Sequence, residues 1–138
     1  MQGSLQTPIM MAVLGGHVHI VKALLELNAD VTIPEKDGYT PMHGAGFQGR
    51  AEIAAVLMNH GVPTHGTVHN DGYLPFHRAC WGKDLRHAQT VRAFINAGVD
   101  PNIRAGNGAT CSAMTQNTQT KIILSDYEKS KAKLNDEL

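Results

Sequence analysis

The sequence predicts an all-α repeat solenoid, a stack of short antiparallel helix pairs joined by turn-rich loops. Three observations carry this. A proline-bearing tetrapeptide recurs as Thr7-Pro8-Ile9-Met10, Thr40-Pro41-Met42-His43 and Leu74-Pro75-Phe76-His77, its prolines 33 and then 34 residues apart. A paired apolar landmark, Leu24-Leu25, returns as Leu57-Met58 and as Phe94-Ile95. Asn28, Gly61 or Gly98 follows each pair, where a helix should stop. A fixed period of this length marks stacked helical units, none of which can bury its apolar face alone.

The first repeat, about residues 5–37, starts almost at its first helix. Pro8 suits the first helical turn because it has no N–H to leave unsatisfied, and Thr7 before it is a helix cap. In the second helix Val18, Val21, Leu24 and Leu25 fall on one face. Asn28 is the best choice after glycine for the left-handed residue that ends a helix. The second repeat, about 38–71, opens on the turn Asp37-Gly38-Tyr39 and carries Ile53, Ala54, Leu57 and Met58 as its apolar face. Gly44 and Gly46 read as sites of close helix packing, and one extra residue falls within 63–70.

The third repeat, about 72–107, repeats the turn as Asp71-Gly72-Tyr73 and the apolar face as Val91, Phe94 and Ile95. About three extra residues fall within 81–86, where they are expected to lengthen the turn between its helices. A degenerate capping repeat, 108–124, substitutes Thr110-Cys111-Ser112-Ala113 for the tetrapeptide. Its second helix is expected from Thr120 to about Lys133, with Ile122, Ile123 and Leu124 inward. Residues 125–138 form a charged C-terminal helix or tail, the polar outer surface a terminal cap requires.

A chain of 138 residues with 42% hydrophobic and 17% charged residues has a globular composition. Twelve basic and twelve acidic residues balance, so nothing calls for nucleic acid or an anionic membrane as partner. No apolar run reaches the length of a membrane span. The polar start lacks the features of a signal peptide. The expected location is therefore the cytoplasm, with the nucleus as alternative, and Cys80 and Cys111 are expected as thiols. Cys80 reads as a small buried core residue, and Cys111, at the cap, as more exposed.

Eight histidines invite a metal reading. His65 and His69 are four apart, but they lie between Pro63 and the Asp71-Gly72 turn, not on a helix. A structural zinc site needs four ligands, usually with closely spaced cysteines. Cys80 stands three residues from His77, yet no third group completes a nucleophilic arrangement. The expectation is no catalytic residue, no cofactor and no metal, hence no enzyme.

Asp37-Gly38-Tyr39-Thr40-Pro41-Met42-His43, Gly16-His17-Val18 and Gly98-Val99-Asp100-Pro101-Asn102 resemble the ankyrin-repeat family, over about residues 5–124. The resemblance implies two antiparallel helices per repeat and a projecting β-hairpin. It also implies that His43 and His77 hydrogen-bond between neighbouring repeats, and that a partner protein binds the concave face. Carried over by position, that face comprises Lys36, Asp37 and Tyr39, then Asn70, Asp71 and Tyr73, then Arg104 and Asn107. The inner helices add Leu14, Gly15, Phe47, Gln48 and Trp81. Tyr39, Phe47, Tyr73 and Trp81 are four of the chain's seven aromatics, and aromatics at exposed repeated positions suit interface anchors. The competing reading has Tyr39 and Tyr73 bracing the hairpins and Trp81 packing under the long turn. The function expected is a monomeric protein–protein interaction module. The alternative is an accessory or regulatory segment of a larger enzyme or signalling protein whose catalytic domain lies elsewhere.

Overall fold

A computed structural model of the chain describes residues 7–31, 39–64 and 71–137. Among them eight helices follow in order: α1 Pro8–Gly15, α2 Val18–Glu26, α3 Pro41–Gln48, α4 Ala51–Asn59, α5 Pro75–Trp81, α6 Leu85–Asn96, α7 Cys111–Met114 and α8 Thr118–Glu137. The odd-numbered helices pack in one row, each on the next, and the even-numbered helices in a second row behind them. Ile9, Val13, Val21, Leu25, Met42, Ile53, Leu57, Phe76, Val91 and Phe94 form one core running between the rows. No strand occurs among the described residues. The loop ahead of α7 is a tight turn in which Ala105 N–H donates to Ala109 C=O (2.9 Å) and Gly108 N–H to Ala105 C=O (2.8 Å). Gly106 N–H then reaches the Gly72 carbonyl at 2.8 Å, tying this loop to the one before it.

The helix ends follow from the residues that stand there. Thr7 Oγ1 accepts from Met10 N–H (3.2 Å), and Thr110 Oγ1 from Ala113 N–H (3.3 Å). Leu74 has no hydroxyl, so the α5 end is closed from the other side: His77 Nδ1 accepts the Leu74 N–H at 3.0 Å. Asn28, Gly61 and Gly98, after the outer helices, take φ of 63°, 92° and 102°. A Cβ at Gly98 would touch nothing within 4 Å, so only backbone strain opposes a side chain there. Gly98→Ala is expected to cost about 1–2 kcal/mol, and Asn28→Gly to gain a few tenths up to about 1 kcal/mol. Urea unfolding of the two variants measures both; equal midpoints would contradict the left-handed assignment.

Consecutive repeats are joined by a ladder of hydrogen bonds at the C-terminal ends of the inner helices, where carbonyls lack intrahelical partners. Arg50 Nη2 donates to Leu14 C=O (2.8 Å), His87 Nε2 to Phe47 C=O (2.9 Å), and Asn117 Nδ2 to Gly82 C=O (2.9 Å); Asn117 Nδ2 also reaches the carbonyl of Asp84, the residue that caps α6 (2.9 Å). His77 spans repeats elsewhere: with Nδ1 occupied by Leu74 N–H, its Nε2–H donates to Ile103 C=O at 3.1 Å. Thr40 N–H meets His43 Nδ1 at 3.2 Å, repeating the local half of that arrangement.

The structure corrects the sequence reading at three places. The extra residues of the third repeat do not form a long turn. They add a turn of helix, so α6 has 12 residues where α2 and α4 have 9. His87, in that added turn, closes the helix start by accepting Asp84 N–H at Nδ1 (3.3 Å) while its other nitrogen bonds Phe47 C=O. Ile122 does not face inward and is 48% exposed, whereas Thr120 is fully buried. Residues 120, 123, 124 and 127 share a helix face by their spacing, and 122 lies across from it. Third, Cys80 and Cys111 are not thiols: they form a disulfide, and both are fully buried, Cys111 included.

Candidate functional site

The expected contact residues separate into three groups. Lys36, Asp37 and Asn70 lie outside the described residues. Tyr39, Asp71, Tyr73 and Trp81 come together around one side chain the sequence reading did not single out, Arg78 of α5. Phe47, Gln48 and Arg104 stand apart from that cluster.

Arg78 is only 9% exposed, and its guanidinium forms an ion pair with the Asp71 carboxylate. Its Cζ lies 5.6 Å from the Tyr39 ring centre, 5.8 Å from Tyr73 and 5.3 Å from Trp81. Cation–π contacts of this kind contribute roughly 0.5–2 kcal/mol each, more as they are desolvated. Tyr73 and Trp81 also touch directly, with ring centres 4.5 Å apart. Trp81 therefore does not pack under the α5–α6 turn. It folds back along α5, as helical side chains lean toward the N-terminus, and is left 37% exposed.

The loop residues are fixed by short-range bonds. Asp71 Oδ1 accepts the Tyr73 N–H at 3.0 Å, an Asx turn that aims the ring. Asn107 Nδ2 donates to the Tyr73 hydroxyl (2.9 Å), and the Tyr39 hydroxyl donates to His43 C=O (3.3 Å). Arg104 Nη1 donates to Gly108 C=O across its own loop at 2.7 Å. On α3, Phe47 is 50% exposed while its carbonyl holds His87. The Gln48 carbonyl takes Arg86 Nε at 2.9 Å, and its side chain is half-buried.

One helix position recurs across this surface. Leu14, Phe47 and Trp81 stand 33 and 34 residues apart, one near the end of each of α1, α3 and α5. All three are bulky and apolar, and none is buried. The sequence offered a signal for Arg78 too. It is a charged residue at the position where the earlier repeats have Met11 and Gly44, on a helix face otherwise committed to packing. A buried charge requires partners, and the repeated tyrosines were the available ones.

The two groups weighed for nucleophilic chemistry are both engaged. The Cys80 sulfur is in the disulfide, and both His77 ring nitrogens hold backbone groups. Among the described residues no three His, Cys, Asp or Glu side chains are placed to hold a metal, and no helix is long and apolar enough to cross a membrane.

Comparison with known proteins agrees with the geometry. Residues 9–105 match a family model of ankyrin repeats in three copies. The chain is 27% identical over 113 residues to human BCL-6 corepressor-like protein 1, a match covering 81% of this chain and 6% of that protein. It is 23% identical over 112 residues to a putative ankyrin repeat-containing protein of Treponema pallidum (strain Nichols), covering 81% of this chain and 37% of the relative. It is 27% identical over 96 residues to the palmitoyltransferase Hip14 of Drosophila melanogaster, covering 70% of this chain and 15% of the relative. The chain thus spans well under half the length of each of these relatives.

Proposed function

Because the chain belongs to the ankyrin-repeat family, we propose that it is a protein–protein interaction module whose partner seats across the inner helices and loop tips. Ankyrin repeats are in general protein-interaction modules and non-catalytic. The observation that carries the finer reading is the row Leu14, Phe47 and Trp81. Apolar surface left in water forgoes burial free energy that a partner covering it would recover, so exposed aromatics in a row suit a contact surface.

Trp81 and Phe47 serve as anchors in this reading. Tyr39, Tyr73, Asp71, Gln48 and Arg104 flank them, and Lys36, Asp37 and Asn70 extend the surface by their place in the sequence. Arg78 acts from beneath. Its ion pair with Asp71 and its contacts with three rings hold Tyr73 and Trp81 in one arrangement before the partner arrives. A preformed surface gives up little side-chain freedom on binding, which leaves more of the contact energy as affinity. The module works in this reading as a monomer in the cytoplasm or nucleus. A second reading makes it a regulatory segment within a longer protein. The matched stretch is 15% of the palmitoyltransferase, so repeats of this design occur beside catalytic machinery.

The test compares wild type with Phe47→Ser and Trp81→Ser in capture from a lysate of the source organism, followed by titration of the captured partner. Each substitution is expected to weaken binding at least tenfold, since anchor truncation costs about 2 kcal/mol or more, with the circular dichroism spectrum unchanged. Equal affinity in wild type and both variants would remove the inner helices from the interface.

A further inference from the structure

Helix α7 is held unlike the inner helices before it. α1 buries four of its residues, and α3 and α5 bury six each. α7 has four residues and buries one, Cys111. So small an apolar contact stabilises α7 weakly, and its one buried side chain is joined covalently to Cys80 of α5. Residues 104–116 run between two anchors that do not involve the bridge. His77 Nε2 donates to Ile103 C=O on one side, and Asn117 Nδ2 to Gly82 and Asp84 C=O on the other. Between them only Ala105, Cys111 and Thr115 are buried.

Both ends of the bridge adjoin the aromatic cluster. Cys80 stands in α5 directly before Trp81 and two residues after Arg78. Cys111 follows the loop whose Gly106 N–H donates to Gly72 C=O (2.8 Å) and whose Asn107 Nδ2 donates to the Tyr73 hydroxyl (2.9 Å). The Tyr73 ring in turn lies 4.5 Å from that of Trp81. A closed circuit results, from α5 through the disulfide to α7, along the loop to Tyr73, and through Trp81 back to α5. Hydrogen bonds at an exposed loop tip exchange readily with water, so the bridge is the member that fixes the loop.

We propose that the Cys80–Cys111 pair is a redox control of this face. As a disulfide it holds loop 105–110 against Tyr73 and so steadies Trp81; as two thiols it lets α7 and the loop detach while α1 to α6 stay folded. The reductant is a dithiol. Both sulfurs are fully buried, so the reaction runs through fraying of α7, whose Ser112 and Ala113 are exposed. A reductant thiolate attacks one bridge sulfur, forming a mixed disulfide and expelling the other cysteine as a thiolate that takes a proton from water. The reductant's second thiolate then attacks the reductant sulfur of that mixed disulfide. The reductant leaves as a cyclic disulfide, and the remaining cysteine is released and protonated likewise. Two electrons pass from the dithiol to the bridge. The change in the face stands on these contacts alone; its consequence for binding rests on the contact surface proposed above.

The test equilibrates the purified full chain in dithiothreitol buffers of graded potential and counts thiols by alkylation and mass. Trp81 is the only tryptophan, so its emission reports on the face directly. As two thiols appear, the emission is expected to move to longer wavelength and its quenching by acrylamide to rise, both at the same potential. Amides of residues 105–115 should exchange about tenfold faster or more, ahead of those of α1 to α4. Oxidised dithiothreitol should restore each signal. The double variant Cys80→Ala, Cys111→Ala should show the reduced-state emission with or without dithiol. Asn107→Ala keeps the bridge but removes the bond to Tyr73, and should move the oxidised chain's emission part of the way. The proposal is overturned if two thiols form while Trp81 emission and exchange in 105–115 stay unchanged. It is overturned equally if the folded chain keeps its bridge under excess dithiol, or if reduction unfolds α1 to α6 together with α7. A captured partner should bind the reduced chain more weakly, because a loosened surface must be ordered on binding. A partner indifferent both to Trp81→Ser and to reduction, beside a shifted emission, would count against the contact surface and leave the redox control standing.

Discussion

Changing Gly46 to alanine is expected to lower the unfolding free energy by about 3 kcal/mol or more. The added Cβ would lie 2.2 Å from the Pro75 carbonyl oxygen and 3.1 Å from its carbon. Those are backbone atoms of the next inner helix, so nothing can rotate aside. Relief requires α3 and α5 to move apart, which opens the core between the second and third repeats. In a linear array each interface is a separate stability term, so the urea transition should broaden or split as the two halves uncouple. Gly44→Ala is the control. Its nearest neighbours are the ends of flexible side chains, Met10 Sδ at 3.0 Å and Leu14 Cδ2 at 3.2 Å. Alanine also favours a helix interior over glycine by about 1 kcal/mol. That variant should stay within about 1 kcal/mol of wild type, the gain in propensity offsetting the crowding. Similar midpoints for the two variants would refute the close approach at Gly46.

Removing the Cys80–Cys111 bridge is expected to cost about 3–4 kcal/mol by the loop-closure relation, for residues 31 apart in sequence. The bridge ties α5 to α7 at the capping end, where α8 packs on α6. The loss should therefore fall on the capping end, with exchange in α7 and α8 accelerating before that of α1 to α4. The double variant Cys80→Ala, Cys111→Ala measures this, beside wild type with and without reductant. Thiol titration in denaturant without reductant should find no free thiol in the purified protein. Two free thiols, or a midpoint indifferent to reductant, would contradict the bridge.

Helix positions, the period and most of the core were legible because they depend on local chemistry. Proline and threonine fix where an inner helix starts, and Asn28, Gly61 and Gly98 fix where an outer helix ends, whatever lies next to them. The apolar spacing in residues 18–25, 53–58 and 91–95 names the buried face by helical geometry alone. The tyrosines and Trp81 could be marked for attention as repeated or rare aromatics.

What only the tertiary structure decided is what touches what across repeats. Residues one period apart are neighbours in a stack, so Cys80 and Cys111, separated by 31 residues, meet at a Cα distance of 5.5 Å. Read along the chain they were two isolated thiols. The three residues inserted in the third repeat are compatible with either a loop or a turn of helix. The Phe47 carbonyl waiting for His87 selects the helix. Arg78, which the sequence reading did not single out, has Asp71, Tyr39, Tyr73 and Trp81 placed around it from three separate segments. The sequence by itself determined the repeating unit, because capping, turn and helix preferences act within a few residues. The stacking partners of each side chain, and with them the disulfide and the buried arginine, were decided by packing between units, where burial and complementarity act over distances the local pattern does not encode.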